Sequence, residues 1–308
     1  MQKTFIAVLL TIFLISGCAA QMSTIGTGRA TPGFGGYVTS THKALLSLPQ
    51  PKQRIPVAVY KFRDQTGQYK HSTTVASFST AVTQGATTIL IKALEDSGWF
   101  IPLEREGLAN LLMERKIIRQ TNENYAQVAK SRGETVQPVE LPSLMYAGIV
   151  LDGGIVSYDT NLVTSGGGGK FAGIGGSVRH RQDQLSIFLR AISTKNGMVL
   201  KTVNTSKTIL SRELDLGVFQ FVSVKDLLEI EIGFSTNEPA AMCASEAIEK
   251  GVSDLIIEGI LMGLWELKNP EDIKSPAVQK YLKEREEIEV KVQIDDEGRV
   301  KAEKVSKK

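Results

Sequence analysis

Cysteine is nearly absent: the 308 residues contain Cys18 and Cys243 and no others. Two thiols so placed give no disulfide framework, so the fold must rest on packing. Cys243 lies in an apolar helical context and reads as a small buried residue rather than a reactive thiol. Histidine is scarce too, and His42, His71 and His180 have no carboxylate or cysteine at ligand spacing, so no metal site is expected. Neither sign of charge dominates: Lys+Arg total 36 and Asp+Glu 33, which gives no case for the strongly basic face that nucleic acid needs. No Gly-x-Ser-x-Gly elbow occurs. Gly166-Gly167-Gly168-Gly169-Lys170 lacks the register of a phosphate loop, because Phe171 follows the lysine, and a hairpin tip explains it better. An enzyme is the least favoured class. Beyond the N-terminus no apolar run is long enough for a membrane-crossing helix, which leaves spanning strands open, since their signal is far weaker.

What is present begins at the N-terminus. Lys3, the apolar run Phe5 to Leu14 and the tetrad Ile15-Ser16-Gly17-Cys18 make a secretory signal peptide over residues 1–17. Cysteine directly after Ser-Gly is the pattern of a bacterial lipobox, so Cys18 is predicted to carry diacylglycerol and an N-acyl chain, the one covalent group expected and no further cofactor. The competing reading is an ordinary signal peptide that happens to end in cysteine. Ala19 rather than Asp after it favours the outer membrane by the usual lipoprotein sorting rule.

Residues 18–54, rich in Gly, Ser, Thr and Pro, read as an extended tether without a core of its own. Ile55 to Phe62 reads as a strand with Val57, Val59 and Lys61 on one side, followed by turn chemistry at Asp64-Gln65-Thr66-Gly67-Gln68. A helix is predicted over Ser79 to Asp96, with Val82, Ala86, Ile89 and Ala93 on one face and Gly98 as its stop. Trp99 to Leu103 is a strand, Glu104 to Gln120 a helix lined by Leu108, Leu111, Leu112 and Arg115, and 121–140 a polar loop. Strands follow at Gly148 to Tyr158 and at Gln184 to Ser193, where Leu185, Ile187, Leu189 and Ala191 alternate. Asn196-Gly197 fits a type I′ hairpin turn into Met198 to Leu210. A last long helix runs from Pro239 to Leu267 with Ile248, Val252, Leu255, Gly259 and Met262 on one face. Strands alternating with helices predict a mixed α/β domain, with helices packed on a sheet.

Two excursions do not fit such a domain. Residues 153–184 carry the glycine run. In 205–238, Leu210, Leu214, Leu216, Val218 and Val222 share one parity, with Glu213 and Asp215 on the other. After a turn predicted near Ser223, Val224, Leu228, Ile230, Ile232 and Phe234 again share a parity, opposed by Lys225, Glu229 and Glu231. A soluble sheet edge could alternate in this way. Each arm nonetheless reaches the roughly 9–11 residues of a tilted spanning strand. On that reading Leu214, Leu216, Val218, Ile230 and Ile232 face lipid, while Glu213, Asp215, Glu229 and Glu231 face a lumen. Arg212 falls on the apolar parity and is predicted near the membrane rim, where a charge costs little. Four spanning strands cannot stand alone: their outer edges would leave backbone N–H and C=O groups unpaired in lipid, so the sheet must close through neighbouring chains. The fold class expected is therefore α+β, with two β-hairpins per subunit joining into one oligomeric transmembrane barrel.

The ordered strings Val57-Ala58-Val59-Tyr60, Asp64-Gln65-Thr66-Gly67-Gln68, Phe78-Ser79-Thr80-Ala81-Val82 and Trp99 to Arg105 carry a resemblance. Glu114 to Arg119, Asn204 to Ser211, Ser235 to Pro239 and Gly263-Leu264-Trp265 continue it. In these the chain resembles the CsgG-type curli secretion channels, outer-membrane lipoproteins, from about residue 55 to 268 plus the lipobox. The resemblance implies a nonameric ring with a periplasmic vestibule that exports unfolded curli subunits without ATP, helped by a periplasmic capping factor and a surface accessory protein. It implies a constriction in the loop of about residues 69–78. There Phe78 matches the family's Phe and Ser77 stands where Asn is usual. The family's Tyr has no clean equivalent, which leaves Ser72 or Thr73 and a wider, wetter opening. The alternative role for Phe78 is stapling the start of the following helix.

The expected division is 1–17 signal peptide, 18–54 tether, 55–152 periplasmic domain, 153–184 first hairpin, 185–204 return strands, 205–238 second hairpin and 239–268 terminal helix. Residues 269–308 depart from the family pattern and read as a solvated extension, with one helix, a hairpin around Asp296-Glu297-Gly298 and disordered last residues. The competing function is a lipid-tethered periplasmic adaptor whose extra strands never enter the membrane.

Overall fold

The computed structural model describes residues 39–69, 81–135, 139–165, 178–215, 218–222, 239–288, 291–294 and 300–303. Its centre is a six-stranded mixed sheet in the order β2-β1-β3-β4-β5-β6. β1 (Ile55–Asp64) pairs in parallel with β2 (Phe100–Glu104) on one side and β3 (Ile149–Ser165) on the other. β4 (Val178–Ser193), β5 (Val199–Asp215) and β6 (Val218–Val222) then follow in antiparallel succession. The predicted Asn196-Gly197 turn joins β4 to β5, with Gly197 at φ 72°.

Helices cover one face. α2 (Ala86–Asp96) lies over β1 and β2, and α4 (Pro239–Leu261) lies over β4 and β5. The alternation read at Leu185, Ile187, Leu189 and Ala191 is the buried side of β4. Val203, Thr205 and Ile209 continue that side on β5. Burying a side chain of the size of Leu or Ile contributes about 1.5–3 kcal/mol, so this row holds the helix layer to the sheet.

Several expectations need correction. On β1 the buried residue after Val59 is Phe62, and Lys61 is exposed. The register with β3 shifts between Val59 and Phe62, and such a bulge reverses which face each following side chain takes. Gly153 makes room for this ring, because a Cβ there would meet Phe62 and the carbonyl of Phe188. α2 starts at Ala86, not Ser79; Val82 is buried but sits in the turn before the helix, where Thr83 Oγ1 accepts from Gly85 N.

The second predicted helix is much longer. α3 (Leu108–Arg132) takes in most of the expected 121–140 loop and ends at Gly133, whose φ of 70° suits a residue without a Cβ. Its half-buried stripe, Leu108, Leu111, Arg115, Ile118 and Asn122, repeats at three and four residues. A return strap over 139–147 is tied to it by donors from side chains: Arg115 to the Pro142 carbonyl, Asn122 to that of Val139, and Arg105 to that of Met145.

The tether was predicted to lack a core of its own, yet from Thr39 onward it is packed. α1 (Ser40–Leu46) places Leu45 and then Leu48 in the core, capped by Thr39 Oγ1 accepting from His42 N. The apolar Leu45-Leu46-Ser47-Leu48 stretch outweighs the surrounding turn composition. The long final helix stops at Leu261, and Trp265 folds back so that its Nε1 donates to the Ile256 carbonyl. Gly259 is needed for this return, since a Cβ there would overlap the indole. The C-terminal segment is more than a solvated extension. A 3-10 turn (Pro270–Lys274) leads into α5 (Pro276–Ile288), whose Val278 is fully buried, and β7 (Lys291–Ile294) pairs with β8 (Val300–Glu303).

Candidate functional site

Three of the sheet's strands are far longer than the usual five or six residues: β3, β4 and β5 run for 17, 16 and 17. α4 covers only part of that length. Among the described residues, its polar contacts nearest the strand ends are Cys243 Sγ donating to the Asp183 carbonyl and Lys207 paired with Glu246. Beyond these points β3, β4 and β5 continue as a paired ribbon, Ser165 opposite Val178 and His180 opposite Arg212. The ribbon starts inside the domain's own sheet, so the expected hairpins at 153–184 and 205–238 begin as prolongations of domain strands.

The second reversal is not near Ser223. β5 and β6 pair with Asp215 opposite Val218 and Leu210 opposite Val222, so the chain turns between Asp215 and Val218. A two-residue connection alone would exchange the faces. The register shift between Glu213 and Asp215 restores them, so even-numbered residues share a face on both strands. The even-numbered parity therefore reappears on β6 once past the reversal, which hid the turn. The same shift interrupts the predicted alternation at Leu214 and sets Asp215 across from Val218. Arg212 lies three residues from the end of β5 and opposite Gln220.

A second constellation sits at the end of β1. Asp64 Oδ1 accepts from Thr66 N and Oγ1, Oδ2 accepts from Gln84 Nε2, and Gly67 turns the chain with φ 64°. Ala81 N then donates to the Gln68 carbonyl at 2.8 Å. That bond stitches together the two ends of the loop in which the constriction is expected. Thr87 Oγ1 anchors the same corner by accepting from Phe62 N at 3.0 Å. The sequence pattern exposed the turn at Asp64 to Gln68 but not its closure by Ala81 and Gln84.

The third feature is the charge buried on α4. Glu249 accepts from Thr39 Oγ1 at 2.9 Å and lies 3.0 Å from His42 Nδ1, and Glu246 accepts from Thr41 Oγ1. Burial pushes the Glu249 carboxyl up despite these donors. Glu258 collects Lys201 from β5 at 2.5 Å, Tyr281 at 2.5 Å and Arg285 at 3.2 Å from α5. Burial raises its pKa, but the three donors outweigh burial and hold it below the usual carboxylate range. Asp254 is pushed up to about 6 by burial, against the pull of Lys250. The Cys243 thiol is pushed up to about 12, chiefly by burial, and so is inert at neutral pH.

Cys18, Ser72, Thr73, Ser77, Phe78, Leu216, Glu229, Ile230, Glu231 and Ile232 lie outside the described residues. For Glu213, Leu214, Asp215 and Val218 the backbone register above is what is described. Among the described residues no group of His, Cys, Asp and Glu could hold a metal ion, and no helix is long and apolar enough to cross a membrane.

Residues 38–285 match the family described as curli production assembly/transport component CsgG. The chain belongs to the CsgG family. It is 42% identical over 275 residues to the CsgG of Salmonella typhimurium, covering 89% of this chain and 95% of that one. It is also 42% identical over 282 residues to the CsgG of Escherichia coli K12, covering 91% and 97%. Among solved structures, a PelC L103M dodecamer from Paraburkholderia phytofirmans covers 67% of this chain and 91% of its own at 14% identity. Its TM-score of 0.25 is too low to carry an argument. Membership of this family gives the long ribbon and the stitched loop a context of curli assembly and transport.

Proposed function

We propose that this chain is one subunit of a ring-shaped outer-membrane channel that passes unfolded curli subunits from periplasm to surface without catalysis or ATP. The observation that carries the reading is the ribbon of β3, β4 and β5 continuing past the helix layer of a CsgG-family domain. Past the level of Asp183, which pairs with Thr160, Asn161–Ser165 adds five described residues to β3, about half of the 9–11 of a spanning strand. A ribbon of this kind in lipid must close through other copies, because an open edge would leave backbone groups unpaired in hydrocarbon. The sheet order offers the two sides for that closure. β1 accompanies β3 only as far as Ile155, and β6 ends the sheet at the other side. The nonameric count, the periplasmic capping factor and the surface accessory protein follow from the family resemblance.

In this reading Cys18 carries the lipid anchor, and the hairpins of 153–184 and 205–238 span the membrane with Arg212 near the outer rim. Phe78, with Ser77 and the Ser72–Thr73 stretch, lines the narrow point. A ring of phenylalanine gives an unfolded chain transient apolar contact without a pocket that would hold it. The stitch between Gln68 and Ala81 fixes the base from which that loop projects.

The test is conductance. Detergent-extracted full-length protein should run as a heat-sensitive high-mass oligomer and open large steps in a planar bilayer, and Phe78→Ala should change the step size. A monomer without conductance would refute the channel. Thiol labelling separates the adaptor reading: Leu210→Cys should resist aqueous reagents while the adjacent Ser211→Cys reacts, and equal reactivity at both would favour an adaptor outside the bilayer.

A further inference from the structure

Two faces of this chain have no covering element among the described residues, and they lie toward opposite edges of the sheet. The first belongs to α3, which follows the edge strand β2. Its half-buried stripe is occupied by the 139–147 strap, but Met113, Ile117 and Val128 are about half exposed on the opposite side. Gln120 and Asn124 fall between them at helical spacing, so residues 113, 117, 120, 124 and 128 form a stripe without a single charge. Along the axis that stripe is about 22 Å long at 1.5 Å per residue.

The second face is the C-terminal hairpin. Its register sets Val292 opposite Ala302 and Ile294 opposite Val300, while Lys291 meets Glu303 and Gln293 meets Lys301. Strand alternation thus puts four apolar residues on one side and four polar ones on the other. A lone two-stranded hairpin is marginal in water and needs something against its apolar face. The point from which it departs lies near β5, because two residues separate α5 from β7, and Glu258 binds both Arg285 of α5 and Lys201 of β5. The hairpin therefore leaves from the β5 side of the sheet and the α3 stripe from the β2 side.

We propose that the β7–β8 hairpin clasps the next copy of this chain, seating Val292, Ile294, Val300 and Ala302 on that copy's Met113, Ile117 and Val128. The proposal rests on the ring reading above. A ring brings the β5 side of one subunit against the β2 side of the next at every joint, which is the head-to-tail contact that two different, complementary faces require. The dimensions agree, since strands of four residues extend about 13 Å and fit within the uncharged stripe. Covering an uncharged stripe avoids the desolvation of an ionised group, and Gln120 and Asn124 are long or flexible enough to keep their amides at the rim of the contact. The matched family region ends at residue 285, so the clasp is an addition to a ring that the family body forms without it.

The experiment uses two differently tagged full-length copies expressed together, one Ile117→Cys and the other Ile294→Cys, with oxidation of the extracted oligomer. The expected result is a disulfide-linked pair carrying both tags, absent when either variant is expressed alone. Removal of residues 289–308 should leave the oligomer assembled but lower the temperature at which it dissociates. An intact oligomer with no mixed-tag link overturns the clasp and leaves the ring standing. Absence of any oligomer overturns the ring reading, and the clasp with it. A chain carrying both substitutions that links only to itself overturns the clasp by showing the hairpin folded on its own α3.

Discussion

α3 and α4 are the two long helices of this chain, 25 and 23 residues, and they use their surfaces in opposite ways. From Glu246 to Ile260 every residue of α4 except Lys250 is buried, including four carboxylates. On α3, Ala129 alone is buried. α4 is enclosed because the sheet lies beneath it, α1 and α2 lie beside it, and α5 with the Trp265 return lies over it. Its acidic residues are tolerated there because Thr39, Thr41, Lys207, Lys201, Tyr281 and Arg285 reach them from three other segments, α1 with its N-cap, β5 and α5. Among the described residues α3 meets an extended strap, held by side chains donating to its backbone. One helix is thus the keystone of the domain, and the other keeps most of its surface exposed.

Substitutions can sharpen that contrast, and unfolding can be followed by the fluorescence of Trp99 and Trp265, both buried. The largest effect is expected at Gly259→Leu. Unseating the Trp265 indole should lower the unfolding free energy by about 3–5 kcal/mol, the range for losing a buried aromatic; a melt like the native one would mean α4 is not closed over by that ring. Next is Glu258→Ala, which removes the carboxylate shared by Lys201, Tyr281 and Arg285 and should cost about 3 kcal/mol, with Glu258→Gln recovering part of the loss. If alanine were neutral, α5 would not be fastened through this carboxylate.

Acidity gives a smaller, signed effect. The Asp254 pKa is raised in the folded chain from 3.8 to about 6, so the folded state binds the proton more tightly. Its contribution is fully present below the unfolded pKa and is lost as pH rises through about 6. Stability should therefore gain up to about 3 kcal/mol from this group on acidification from neutral pH toward pH 4. Asp254→Asn should flatten that rise in urea melts at stepped pH; an unchanged slope would remove Asp254 as its source. The smallest change belongs to α3: Ile117→Ser should move subunit stability by less than about 0.5 kcal/mol, while lowering the dissociation temperature of the oligomer. A large loss of subunit stability would show that this stripe is core rather than surface.

The sequence made some of this plain and concealed the rest for physical reasons. Leu185 to Ala191 alternated visibly because one face of β4 is buried along its whole domain length, and Asn196-Gly197 announced its turn by backbone chemistry alone. α4 looked one-sided because its charges find partners distant in sequence, such as Lys207 and Thr41, which no local pattern reveals. The bulge after Val59 needed no unusual residue and so left no mark. At the tip of β5 and β6 the turn and the register shift cancel, which preserved the alternation that should have marked the reversal. Cys18 and Phe78 rest on sequence alone, since both lie outside the described residues.

The bond between Ala81 N and the Gln68 carbonyl sets a scale. It leaves 12 residues, 69–80, to leave the subunit wall and come back. Six residues outward and six back, at 3.3–3.6 Å each, give a projection of at most about 22 Å. In the proposed ring, whatever its number of copies, each loop could narrow the bore by no more than that length. Subunit count and aperture would then be tied to one another: every copy added would widen the circle, while the reach of the loop stays fixed.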